Sequence, residues 1–230
     1  WIVDSGATLT ISGTSRLRIT LAASASAVID GELILGTNGN INTANAGTLV
    51  TVNGKITNTG GSFSSSATAK IVFGPNSEYN HARNGSSLPL ATWNPTSTVR
   101  LTGVLNTTVG NANQNFGNFI FQSPAQTVNM SFLPLSIAGD LIIDNGTSTG
   151  QIRQTTNAFT VNGNFLFING RYAIGNGTSS NRSITVLGNA TVEAGILSMS
   201  ISSNAVGTLN IAGDFTHSGG TITETSSGSG

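Results

Sequence analysis

Along this chain apolar residues recur at every second position in short runs, and the runs themselves recur. The clearest register is set by Gly139, Gly163, Gly188 and Gly213, spaced 24, 25 and 25 residues apart and each followed by Asp or Asn. Two and four residues before each glycine stand Leu135/Ile137, Phe159/Val161, Ile184/Val186 and Leu209/Ile211. Two and four after stand Leu141/Ile143, Phe165/Phe167, Ala190/Val192 and Phe215/His217. Period-two alternation predicts strands with one buried and one solvated face. Between them the Gly-Asx pair has turn chemistry, since glycine reaches positive φ and Asx hydrogen-bonds nearby backbone.

A hairpin also reads strand–turn–strand, but a recurrence fixed near 24 residues favours a coil of about three short strands. Weaker third strands fall near Ile152, Ile174 and Met199-Ser200-Ile201. A coil of this size cannot bury its apolar edge alone, so stacking on its neighbours completes the core. The same grammar reaches the N-terminal half at Leu9–Gly13, Val28–Leu35, Val50–Ile56 and Val99–Leu105, with Gly117–Phe121 supplying a further second half. No ten-residue segment has a 3.6-residue period. The expectation is therefore an all-β parallel β-helix, a single β-solenoid over residues 1–230 with about 24–25 residues per coil, right-handed. Eight to ten coils would make a rod of roughly 40–50 Å.

One stretch breaks the rhythm. Pro75 to Thr98 holds three of the five prolines, with Tyr79, His81, Arg83 and Trp93. It reads as a loop excursion at about 75–98 that projects from the stack, and loops on rigid scaffolds are where binding usually resides.

Composition narrows the setting more than the function. Only 8% of residues are charged and the nine basic balance the nine acidic, which leaves no electrostatic footprint for nucleic acid. No apolar run approaches the ~20 residues needed to span a bilayer as a helix. Cysteine is absent, so disulfides and thiolate metal sites are excluded. The chain opens at Trp1 in what already reads as a strand, without an initiator Met, and is taken as a piece of a longer protein. Only the tail Ser226–Gly230 reads as a flexible linker.

The segment Tyr79-Asn80-His81-Ala82-Arg83-Asn84-Gly85, followed by Leu88-Pro89-Leu90-Ala91-Thr92-Trp93, resembles a pattern in large repetitive surface proteins of the Bacteroidota. Thr102-Gly103 and the Gln114–Phe119 stretch follow it here as they do there. Gly163-Asn164-Phe165 and Gly213-Asp214-Phe215 are similar to that group's Gly-Asx-Phe repeats, and the resemblance runs from about Gly31 onward. It implies a secreted, giant adhesin-like protein, commonly carrying a C-terminal sorting domain for type IX secretion. The resemblance brings no catalytic residues with it.

Candidate chemistry is sparse. Parallel β-helices often cleave polysaccharides, which raises the prior only by analogy. Glycoside hydrolysis needs two carboxyl groups about 5–9.5 Å apart. Asp140 and Asp214 share a phase but lie three coils apart, roughly 14 Å. Asp144 and Glu193 share an outward phase two coils apart, near 10 Å, with Ile168 between them; solvent-facing acids on a weakly charged wall are the plainer reading. Metal sites fare no better, since His81 and His217 are the only histidines and no ligand spacing exists. Asp144-Asn145-Gly146 is read as an Asx turn because the further ligands of a calcium loop are missing. His217 takes an inward phase, as a core or end-of-stack residue.

The weak ligand-binding candidates are thus Tyr79, His81, Arg83 and Trp93, because aromatic faces beside amides suit sugar rings. Against this, Tyr79 and Trp93 can fold back to pack the loop against the wall. Two functions stay open: an extracellular structural or adhesive segment without catalysis or cofactor, partnered by neighbouring repeats or end-to-end copies and by surface glycans, or a glycan-binding or glycan-cleaving β-helix.

Overall fold

The computed structural model describes residues 1–230 except 16, 44, 65–66, 176–180, 202–204 and 225–230. The Ser/Gly tail lies outside the described residues. The chain is an all-β solenoid of stacked coils, with almost no helix beyond one short turn at Thr68–Lys70. A ten-stranded parallel sheet runs its whole length. That central wall is built from Thr8–Ile11, Glu32–Leu35, Lys55–Asn58, Glu78–His81, Thr98–Leu101, Asn118–Phe121, Leu141–Asp144, Phe165–Asn169, Ala190–Val192 and Phe215–His217. Ten strands make about nine turns and, at the usual strand spacing, a stack of about 43 Å.

The strand that leads into each central strand forms a second wall, in two five-stranded sheets. The first ends at Thr92–Trp93 and the second begins at Asn115–Phe116. A third, trailing wall consists of a three-stranded sheet from Leu17–Thr20 to Ser62–Ser64 and a five-stranded one from Met130–Phe132 to Thr221–Thr223. The expected third strands are there, at Ile152–Gln154, Arg171–Gly175 and Ile196–Ser200.

Register explains why the repeat reads clearly only near the C-terminus. Leu141 pairs Phe165 and Phe165 pairs Ala190, steps of 24 and 25 residues. Glu78 pairs Thr98 and Thr98 pairs Asn118, steps of only 20. The stretch over 75–98 is accordingly no projecting loop. Glu78–His81 is an interior strand of the central wall, paired on both sides, and Thr92–Trp93 belongs to the leading wall. The coil is shorter than its neighbours, so a search at a fixed 24-residue offset steps past it.

Inward columns run along the stack. One carries Leu33, Ile56, Tyr79, Val99, Phe119, Leu141 and Phe165, each without exposed surface. Burying side chains of this size contributes about 1.5–3 kcal/mol each, and stacking is what buries them, because each coil's edge is covered only by the next.

The Gly-Asx motif has a different cause from the one its turn chemistry suggests. Gly139, Gly163, Gly188 and Gly213 are not among the glycines with positive φ. Instead the Asx of each coil accepts the next coil's Asx amide: Asn118 Oδ1 from Asp140 N at 2.8 Å, Asp140 Oδ1 from Asn164 N at 2.7 Å, then Asn164 to Asn189 and Asn189 to Asp214 at 2.9 Å. Only the shared Oδ1 is used, so Asp and Asn alternate freely. The carboxyl or amide group sits where a Cβ would go: one added at Gly163 would lie 2.4 Å from Asp140 Oδ1, and one at Gly213 2.4 Å from Asn189 Oδ1. These positions require glycine for close approach rather than for backbone sign.

Candidate functional site

Three of the four sequence candidates converge, and they do so inside the core. Tyr79 and His81 point inward from one strand and have no exposed surface, while Trp93 is 8% exposed. Trp93 stacks on Phe73 at 4.1 Å between ring centroids with an 11° interplanar angle, and Tyr79 meets both rings edge-on. The stack continues through Phe116, Phe119, Phe121 and Phe132 to Phe159. Such pairs add about 0.5–1.5 kcal/mol each beyond burial. The aromatic rings therefore fold back into the wall and present no face to a ligand.

His81 and Tyr79 are tied into a buried hydrogen-bonded chain. Asn58 Nδ2 donates to Tyr79 Oη at 3.0 Å. The carbonyl of Gly85, 2.8 Å from His81 Nε2, can only accept, so Nε2 carries the proton and Nδ1 faces the Tyr79 hydroxyl at 3.5 Å as acceptor. Burial pushes His81 down to about 4 and Tyr79 up to about 12, which keeps both neutral at ordinary pH. Asn58 also accepts from the amides of Gly60 and Gly61. Arg83 stands apart, half-buried, with Nη1 donating to the Gly61 carbonyl. This is a structural network, satisfied by its own members, and no substrate is needed to complete it.

The acidic pair does not form as expected. The register shifts between Ile143 and Asp144, so Asp144 faces Asn169 and Ile168 is skipped. Asp144 is instead the end of a polar column on the outer central wall. Lys55 lies between Glu32 and Glu78 at 3.8 and 3.6 Å, and Arg100 Nε is 3.4 Å from Glu78. Arg100 Nη1 then donates to Gln122 at 3.0 Å, and Gln122 Nε2 to Asp144 at 3.4 Å. One residue per coil, at 32, 55, 78, 100, 122 and 144, makes this column; following steps of 22 or 23 in the sequence would have found it. Asn145 is buried, accepting from Ser123 N at 2.9 Å and donating to Gln126 at 2.9 Å, and the left-handed Gly146 turns the chain after it. His217 pairs in register with Val192 and is exposed in the last coil. Among the described residues no three His, Asp or Glu side chains gather into a metal-sized cluster, and no helix is long and apolar enough to cross a membrane.

Sequence reading missed the residue that joins the two leading-wall sheets. Where Trp93 and Phe116 would continue one ladder, Gln114 inserts its amide. Gln114 Oε1 accepts from Ala91 N at 3.0 Å and Trp93 Nε1 at 3.2 Å, and Nε2 donates to Pro89 O at 3.1 Å and Asn111 O at 2.7 Å. All the hydrogen-bonding capacity of this 5%-exposed side chain is used. Beside this wedge a groove of about 260 Å³ opens on the leading wall, lined by Thr68, Thr92, Trp93, Asn113, Asn115 and Leu135. Comparisons with protein families, curated proteins and solved structures find no match to the chain.

Proposed function

We propose that the chain is a segment of an extracellular structural or adhesive rod, without catalysis, of the kind its resemblance to repetitive Bacteroidota surface proteins implies. The observation that carries this reading is the open last coil. Phe215 continues a column whose members Phe165 and Ala190 are fully buried, yet it is itself 48% exposed. Its strand edge is the kind that proteins normally pair or cover. A further coil, from flanking repeats or from a second copy stacked end to end, would bury Phe215 and extend the Asx ladder from Asp214. The low charge and the satisfied interior fit a load-transmitting stack better than a reaction site.

Antibodies raised against the chain are expected to label intact cells or the culture medium. Labelling seen only after permeabilisation overturns the extracellular part of the reading. Product release from a panel of polysaccharides would overturn the non-catalytic part.

A further inference from the structure

The groove beside Gln114 has the chemistry of a binding site, and it stands independently of the rod reading. It crosses successive coils at residues 68, 92, 113 and 135, where the leading wall changes from one sheet to the next. Its lining contains no ionisable side chain, so its occupant is uncharged. Leu135 supplies an apolar surface that is 60% exposed, next to the edge of Trp93. Amides flank it: Asn113 is exposed and, among the described residues, its amide pairs with none, while Asn115 Oδ1 accepts only from Ser136 Oγ at 2.8 Å.

An inserted peptide strand does not fit. Cα atoms of Thr92–Trp93 and Asn115–Phe116 approach within 8 Å, whereas a strand between them needs about 9.6 Å, two spacings of 4.8 Å. A compact ligand with an apolar face and hydroxyls around its rim does fit, since apolar surface with a few orienting polar groups is what small-ligand sites offer. We propose that this groove binds a neutral pyranose unit, its C–H face on Leu135 and its hydroxyls on Asn113 and Asn115.

The test is an NMR titration of the Leu135 methyl groups and the Trp93 indole N–H in the whole chain, with Trp1→Phe to remove the second indole. The probes are cellotetraose, maltotetraose and mannotetraose, with trigalacturonate as the anionic control. At least one neutral tetrasaccharide is expected to shift both reporters at up to about 10 mM. The apparent affinity should fall about tenfold or more in Leu135→Asp and in Asn113→Ala, two exposed positions whose variants keep the fold. The proposal is overturned by unchanged reporters with all three neutral sugars, by equal binding in both variants, or by stronger binding of trigalacturonate. Surface labelling of cells is unaffected by any of these results, so failure here and failure of the rod reading are separable.

Discussion

The aromatic middle of the solenoid and its regular C-terminal coils solve the same problem differently. Between Phe73 and Phe132 the coils shorten to steps of 20 to 22 residues, rings stack along the axis, and the trailing wall has no strand. There buried side chains stand in for missing ladder: Gln114 bridges two sheets and His81 ties the strand to the Gly85 turn. From Gly139 to His217 steps of 24 or 25 residues leave room for three regular strands per coil, and turns are locked by Asx side chains on the outside. Satisfaction of buried polar groups is thus concentrated in a few side chains in the middle and spread over repeated backbone bonds near the C-terminus. The middle should fail at single residues, and the C-terminal coils should tolerate the loss of one rung.

The largest effect is expected at the centre of the ring stack. Trp93→Ala removes the partner of Phe73 and leaves Gln114 without one donor, and should cost about 3–5 kcal/mol in denaturant unfolding. A cost below that of a surface substitution would show that the stack relaxes around the gap. Gln114→Ala strands two donors and two acceptors and is expected to cost about 2–4 kcal/mol, with the Trp93 indole resonance moving as its acceptor is lost.

Acid should act on the middle selectively. His81 titrates at about 4 when folded, against 6.5 when unfolded, so the unfolded chain binds the proton first. Stability is full above pH 6.5 and is lost as pH falls towards 4, by about 3 kcal/mol in all. His81→Gln should be less stable at neutral pH but lack this part of the fall; equal pH profiles for the two proteins would refute a buried neutral imidazole.

The C-terminal coils give smaller numbers. Asn164→Ala removes one rung, the acceptor for Asn189 N at 2.9 Å, and should cost about 1 kcal/mol. Gly163→Ala tests the same ladder from the other side: its Cβ would overlap Asp140 Oδ1, so it should cost more than Asn164→Ala, by about 1–2 kcal/mol. Smallest of all is the outer charge column. Lys55→Ala breaks two exposed pairs and should change stability by less than about 1 kcal/mol, diminishing further with added salt.

Legibility followed the same division. The fold class and the C-terminal coils could be read directly, because the inward positions there are nearly all apolar and evenly spaced. The middle coil was misread as a loop because Asn58 and His81 occupy inward positions and break the alternation. Its prolines and short step completed the impression. Tyr79 and Trp93 were rightly grouped, but a sequence shows which residues are neighbours and not whether their rings face water or one another. Gln114 carried no signal at all, since a buried amide wedge looks like any polar residue in a polar stretch.

Sequence alone determined that this protein is a stack of β-coils, because period-two burial and a recurring Gly-Asx turn leave few other ways to hide the apolar edge. It also set the possible chemistry by omission, through its two histidines, few acids and absent cysteines. Only the tertiary structure decided what the glycines are for, where the aromatic residues point and where the surface opens. Those outcomes depend on atoms from coils about 20 to 25 residues apart meeting across the stack, and a glycine in close approach has the same letter as a glycine in a left-handed turn.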